Sequence, residues 1–197
     1  MGVERNNLYP VFFKLDKLKM LVVGAGEVGH EKLHFILKSS PNARIDIVAP
    51  WISDPVQELA DKYDGQINID QREFAYEDVI GHDIVIGATN IHDVNLQVYK
   101  AAKDHNKIVN IADTPELCDF YMCSIVTRGD VKVGISTNGK SPTFAKRFRQ
   151  LLEEILPDET NVLVNNLKVI RDRLKGDFDY KVKELNRITQ SLVDDPA

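Results

Sequence analysis

Three glycines and one aspartate are the residues of this chain whose type and spacing best fit them for chemistry. Gly24, Gly26 and Gly29 stand in the pattern Gly-x-Gly-x-x-Gly. They follow the apolar run Met20–Val23 and precede the helix-like run Glu27–Lys38. In that setting each glycine has a mechanical reason. The first permits a tight turn off a strand, the second lets the backbone approach a pyrophosphate, and the third lets the helix pack closely on the sheet. The helix N-terminus then offers unpaired N–H groups and partial positive charge to phosphate. The pattern predicts a dinucleotide site. Its bland alternative is a glycine-rich strand–helix turn that binds nothing.

Asp113 ends the strand-like run Lys107–Ala112. Ligands of open α/β sheets bind beyond the carboxyl ends of the strands. The chain places Gly24–Gly29, Ala49-Pro50, Thr89-Asn90 and Asp113 there. A carboxylate at such an end can serve as a general base, and equally can be a turn residue before Thr114-Pro115. Dinucleotide sites usually carry an acid about 20 residues past the glycines to bind ribose hydroxyls, or an arginine for a 2′-phosphate. This chain has Val48-Ala49-Pro50 instead, with Asp46 inside the strand and Asp54 beyond it. The usual rule therefore leaves NAD and NADP undecided. Thr89 and Asn90 complete the candidate cofactor residues. His30, His34, His82, His92 and His105 are scattered, in no Ser–His–Asp order and no metal-ligand cluster, and a solvated histidine is the default for each. No metal site is expected. Cys118 and Cys123 lie in a strand-like stretch with neither a CxxC nor a zinc spacing, which reads as buried, reduced thiols.

The chain has 197 residues, 43% of them hydrophobic and 28% charged, with a formal net charge of −5. That is enough for one sizeable core and an appendage, and the acidic balance argues against a nucleic-acid binder. No apolar run reaches the ~20 residues that span a bilayer, and no signal-peptide core stands at the N-terminus. A cytoplasmic location is expected, with no membrane partner. The charge is unevenly spread. Arg128, Lys132, Lys140, Lys146, Arg147 and Arg149 fall in one segment with a single acid, Asp130. A basic patch on an acidic protein is either a seat for an anionic small molecule or a solvated helix face.

The elements that must position these residues alternate. Strands are predicted at Met20–Val23, Arg44–Val48 (ended by Ala49-Pro50), Ile67–Asp70, Asp83–Ala88 and Lys107–Ala112. Helices are predicted at Glu27–Lys38, Pro55–Tyr63 and Asp93–His105. This order implies an α/β fold with a Rossmann-like parallel sheet. Two β runs, Tyr121–Thr127 and Val131–Ser136, then flank Arg128-Gly129-Asp130 and read as a hairpin. Ser141 as N-cap and Pro142 at the first helical position open a helix over Thr143–Leu156. Helical spacing continues over Asp158–Val193, interrupted at Gly176. The expected domains are a dinucleotide-binding domain over residues 1–113, a hairpin segment for dimerisation and substrate binding over 114–146, and a C-terminal helical domain over 147–197. The tail is too small for its own core, so a homodimer is expected.

The segments LYPVFFKLDKLKMLVVGAGEVGHEK, DIVIGATN and NIADTPELCDFYMCSIVTRGDVKVGISTNGKSPTFAKRFR together closely resemble the precorrin-2 dehydrogenase/sirohydrochlorin ferrochelatase family, the dehydrogenase module of siroheme synthases. The resemblance implies NAD-dependent oxidation of precorrin-2 to sirohydrochlorin, with insertion of Fe²⁺ in some members. By position it implies that Glu27 and Val28 line the pyrophosphate and that Pro50 and Trp51 lie near the adenosine ribose. It makes Asp113 the catalytic aspartate and places Ser124 and Thr137 near the tetrapyrrole. The basic segment then complements a polycarboxylate substrate, with Arg128, Lys140, Arg147 and the helix start at Ser141 as carboxylate-holding groups. Many members have Ser-Ser-Gly-Gly where this chain has Ser136-Thr137-Asn138-Gly139, which leaves the role of Thr137 open. No methyltransferase half like that of the fused synthases is expected from these segments. A nucleotide-sensing regulatory module and a reductase for another small anionic substrate are the rival readings.

Overall fold

Alternating β and α segments fold into a parallel sheet with helices on both faces, followed by a hairpin and three helices. The computed structural model describes residues 5–190. The first part comprises β1 (Lys19–Ala25), α1 (Glu27–Ser39), β2 (Arg44–Ile52), α2 (Asp54–Lys62), β3 (Ile67–Asp70), β4 (Ile84–Gly87), α3 (His92–Asp104) and β5 (Ile108–Ile111). Short 3-10 turns occur at Tyr76–Val79 and Pro115–Leu117. The strand order is β3-β2-β1-β4-β5, all parallel. This is the Rossmann arrangement, in which the order reverses between β1 and β4 and leaves a crevice at that point. The near-continuous apolar runs of β1 and β4 follow from burial on both sides. Alternate residues supply two cores. Met20, Val22, Ile45, Ile47, Ile84 and Ile86 face α1 and α2, while Leu21, Val23, Val85, Val109 and Ile111 face α3.

One expectation fails in β2, and the reason matters for the site. Ala49-Pro50 does not end the strand, which runs on to Ile52. The register with β1 is regular to Val23↔Val48 and resumes at Ala25↔Ile52. Three residues of β2 therefore stand against Gly24 alone. Such a bulge tolerates a proline, because the missing N–H falls where no ladder bond is made. It leaves Pro50 and Trp51 exposed above the strand end.

The chain divides into two compact units, Met1–Cys123 and Ser124–Ala197. Residues past Asp113 stay with the first unit because they fold back on β5. The Asp119 N–H donates to the Val109 carbonyl (2.8 Å), the Val109 N–H donates to the Asp119 carboxylate (3.1 Å), and Asn110 Nδ2 donates to the Phe120 carbonyl (2.8 Å). This return covers the open edge of the sheet. It also corrects the thiol reading. Cys118 and Cys123 are outside any strand, Cys118 half-buried and Cys123 exposed, and both are free. Burial pushes the Cys118 thiol above its ordinary range.

The second unit holds β6 (Ser124–Arg128), β7 (Val131–Ile135), α4 (Pro142–Ile155), α5 (Thr160–Arg173) and α6 (Phe178–Ile188). The antiparallel hairpin turns at Gly129, whose φ of 58° suits glycine. Its core is small: Val126, Ile135 and Ala145, with Val133, Leu152 and Leu156 packed against them. Gly176 (φ 139°) separates α5 from α6. The helical expectation beyond residue 190 lies outside the described residues.

Candidate functional site

At the glycine loop the three positions separate by geometry. Gly24 has φ 107°, and a Cβ there would stand 2.6 Å from the Ala88 carbonyl oxygen. A Cβ on Gly29 would stand 2.3 Å from the Gly24 carbonyl oxygen. Both glycines are required by the protein's own packing. Gly26 is different: a Cβ there meets nothing within 4 Å. Gly26 is the N-cap of α1 and supplies no side-chain cap to the first-turn N–H groups. The fold thus keeps clear space in front of a helix N-terminus. That space and those N–H groups fit a pyrophosphate. Glu27 and Val28 form the first turn behind it, Glu27 exposed and Val28 half-buried.

The neighbouring strand ends stand abreast of this loop. The Ala88 N–H donates to the Val23 carbonyl, and the Ala112 N–H to the Gly87 carbonyl, each at 2.8 Å. Gly24, Ala88 and Ala112 therefore occupy one row across β1, β4 and β5. With strands about 4.8 Å apart, Asp113 lies about 10 Å along that row from the glycine loop. Asp113 is exposed and holds φ 56°, a left-handed conformation uncommon outside glycine. Thr89 is half-buried and Asn90 exposed.

Sequence reasoning missed the residues that hold these ends in place. Asn95, buried on α3, accepts from the Thr89 N–H (3.2 Å) and hydroxyl (2.8 Å) and donates to the Thr89 carbonyl (2.9 Å). Asn110, buried in β5, holds the returning segment behind Asp113. An asparagine within an otherwise apolar strand was the available signal. Lys103 clamps Asp119 at 2.8 and 3.0 Å, which raises the lysine's proton affinity.

The β2–β3 side of the sheet carries a second polar network. Arg72 contacts Asp78 through both terminal nitrogens (2.8 and 2.7 Å) and Asp70 at 3.1 Å. These bonds, Asp78 first, raise the guanidinium's proton affinity. Burial works to raise the Asp78 carboxyl, but bonds from Arg72 and the Ala75 N–H outweigh it and hold it below its ordinary range. Deeper on the same strands, His82 is not solvated as expected. Its Nε2 lies 2.8 Å from Asp46, and its Nδ1 lies 2.8 Å from the Asp78 carbonyl. Burial would raise the Asp46 carboxyl, yet bonds to Asn68 and His82 leave it lowered.

In the second unit, Ser141 caps α4 as expected, its hydroxyl accepting from the Phe144 N–H at 3.2 Å. The Ser141 N–H in turn donates to the Thr137 hydroxyl at 3.1 Å. Asn138 (φ 54°) and Gly139 (φ 74°) make the turn between them. The first turn of α4 carries no acid. Lys140 and Arg147 are exposed beside it, and Arg147 donates to Gln150 at 3.0 Å. Ser124 begins β6 and is half-buried. Arg128 has a structural post: it donates to the Leu156 carbonyl (2.9 Å) and the Glu153 carbonyl (2.5 Å), closing the C-terminal end of α4. Among the described residues, no group of three or more His, Cys, Asp or Glu side chains is arranged to hold a metal ion. No helix among them is long and apolar enough to cross a membrane.

A Rossmann sheet with a cleared helix N-terminus at its switch point defines a dinucleotide-binding protein. The comparisons with known proteins agree. Residues 11–124 match the family described as putative NAD(P)-binding, and residues 128–155 match the sirohaem biosynthesis protein central family. The chain is 35% identical over 175 residues to a siroheme synthase of Pseudoalteromonas atlantica, covering 89% of this chain and 37% of that one. It is 35% identical over 166 residues to a siroheme synthase of Methylococcus capsulatus, covering 84% and 34%. The chain thus spans about a third of the length of the curated relatives it matches. Among solved structures it is similar to SirC, a precorrin-2 dehydrogenase, with a TM-score of 0.73 and 26% identity over 95% of this chain and 90% of that one. The chain belongs to the putative NAD(P)-binding family over residues 11–124, carries the sirohaem biosynthesis central segment after it, and aligns with siroheme synthases over most of its length. The putative NAD(P)-binding match falls almost wholly within the first unit. These relatives give no support to the nucleotide-sensing alternative.

Proposed function

We propose that this protein oxidises precorrin-2 to sirohydrochlorin with NAD⁺ in siroheme biosynthesis. The observation that carries the reading is the row of strand ends. A glycine loop cleared for pyrophosphate and an exposed aspartate stand on one edge of the sheet, about 10 Å apart. When bound, NAD⁺ supplies the hydride acceptor. The chain's own residues do the rest. The N–H groups of α1 hold the pyrophosphate, Glu27 and Val28 line it, Pro50 and Trp51 take the adenosine ribose, and Thr89 and Asn90 border the crevice. Asp113 accepts the proton that the reduced macrocycle loses as the hydride leaves.

The second unit, taken by itself, carries groups that we assign to holding carboxylates. Thr137, Lys140, Ser141 and Arg147 cluster at the acid-free N-terminus of α4, and Ser124 lies on β6 of the same unit. Arg128 enters this proposal as the residue that closes the other end of α4. Two further properties belong to the same reading. Ferrous iron is a substrate for insertion into sirohydrochlorin. The protein is a cytoplasmic homodimer, supported by the exposed apolar stripe Phe144, Phe148, Leu151 and Ile155 on α4.

The test is to mix protein, NAD⁺ and precorrin-2 without oxygen and follow the absorbance of sirohydrochlorin. Absence of conversion refutes the proposal. Asp113→Asn keeps a residue that tolerates φ 56°. It should lower turnover by about 10²- to 10⁴-fold with NAD⁺ affinity unchanged. Siroheme formation from sirohydrochlorin and Fe²⁺ without NAD⁺ tests insertion, and a monomer in sedimentation at micromolar concentration refutes the dimer.

A further inference from the structure

In dinucleotide-binding folds the C-terminal end of the second strand meets the adenosine ribose. An acid there binds the 2′-OH, and an arginine nearby accepts a 2′-phosphate. Here the strand end is Pro50-Trp51, so neither device is in its usual place. Between residues 45 and 99 the chain carries only two Lys or Arg side chains, Lys62 and Arg72. Lys62 closes the far end of α2 and lies over the Tyr63 ring. Arg72 follows β3, whose register aligns Asp70 with Val48. Gln71 Nε2 approaches the Pro50 carbonyl at 3.4 Å. Arg72 is therefore the cation beside the ribose end of the site.

That guanidinium is already engaged. It makes two bonds to Asp78, one to Asp70 and one to the Glu73 carbonyl at 3.0 Å. The cluster of one guanidinium and two carboxylates is net negative, and Asp70 is its exposed member, with 68% of its side chain accessible. A ribose 2′-hydroxyl meets no penalty next to such a cluster. A 2′-phosphate meets like charge, beside a guanidinium already bonded to two carboxylates. We infer that the Arg72–Asp78–Asp70 clamp makes this site reject a 2′-phosphate and so sets its choice of NAD over NADP. The inference rests on the adenosine placement proposed above, and its test separates the two.

The test is binding, not turnover. The full chain is titrated with NAD⁺ and with NADP⁺ by calorimetry, while the emission of Trp51, the single tryptophan, is followed in parallel. NAD⁺ should bind and change the Trp51 emission, and NADP⁺ should bind at least ~10-fold more weakly. Asp70→Asn, at an exposed carboxylate, should narrow that gap by about threefold or more and leave NAD⁺ unchanged. The double variant Asp70→Asn/Asp78→Asn should narrow it further. Equal affinity for the two nucleotides in the unaltered protein overturns the inference. So does a gap that stays the same in both variants. Calorimetric binding without any Trp51 response moves the adenosine away from β2 and overturns the clamp while leaving the dinucleotide site intact. Absence of binding by either nucleotide overturns both.

Discussion

Gly26→Ala separates a cofactor loop from a merely structural turn. A Cβ at Gly26 meets no heavy atom within 4 Å, and φ is −85°, so the methyl group displaces nothing in the protein. Two small effects oppose each other. Alanine is a poorer N-cap than glycine, by about 1 kcal/mol at most. It also removes about 0.4–1 kcal/mol of freedom from the unfolded chain. Stability should change by about zero, and the Tm of the sheet unit's transition should move by no more than ~2 °C. The methyl group does, however, fill the approach to the α1 N-terminus. An N–H bond to a charged phosphate oxygen is worth about 1.5–3 kcal/mol. Losing one raises the Kd for NAD⁺ by roughly 10- to 150-fold. Calorimetry and thermal unfolding on the same sample read both quantities. Gly24→Ala is the control: at φ 107° and 2.6 Å from a backbone oxygen, it should cost more than about 2 kcal/mol. An unchanged Kd in a stable Gly26→Ala protein refutes the pyrophosphate reading. A Tm loss matching that of Gly24→Ala refutes the open space in front of α1.

Three other expectations follow from the packing. Asn95→Ala leaves the backbone and hydroxyl of Thr89 without their partner, so urea unfolding should show a loss of about 2 kcal/mol. The NAD⁺ KM should rise with it. Arg128→Met frees the carbonyls at the end of α4, and hydrogen exchange at residues 152–156 should accelerate about 10-fold or more. Asp46 has a folded pKa below its unfolded value, through bonds to Asn68 and His82 that overcome burial. Its stabilisation is full above the ordinary carboxylate pKa of about 3.9. It is lost as pH falls through the lower folded value. Asp46→Asn should therefore be less stable than the unaltered protein at pH 7, and the difference should shrink below pH 4. A constant difference across that range would contradict the pairing.

Much of the fold was legible because local signals agreed with each other. The run Met20–Val23, the three glycines and the helix behind them all point to one strand–turn–helix, and the observed β1, loop and α1 occupy it. Ser141-Pro142 was legible for the same reason: a cap and a proline at the first position leave little choice. The end of β2 was not. Proline normally stops a strand, and only the register shift against Gly24 allows it to continue. The structural use of Arg128 was hidden because charge alone cannot show that carbonyls of α4, 25 and 28 residues later, accept from it. Asn110 left a signal, an amide in an apolar strand, but the partners of Asn95 and Asn110, Thr89 and Phe120, are set by tertiary contacts rather than by spacing. The extent of the first unit was hidden likewise. Residues 114–123 show no strong periodicity and are joined to it by hydrogen bonds to β5.

The two units hold very unequal shares of buried apolar side chains. The sheet unit has two extensive cores, whereas among the described residues of the second unit the buried hydrophobic side chains are Val126, Ile135 and Ala145. Local opening free energy follows such burial. The chain should therefore not melt as a single cooperative step, and one midpoint would not describe it. The hairpin and helices should exchange their amide protons first, while β1, β4 and β5 remain protected. The basic groups around α4 sit in that softer unit. An anionic ligand that binds only the folded form there stabilises it by mass action. Occupancy of those basic groups would then be readable as a rise in the lower of two transitions.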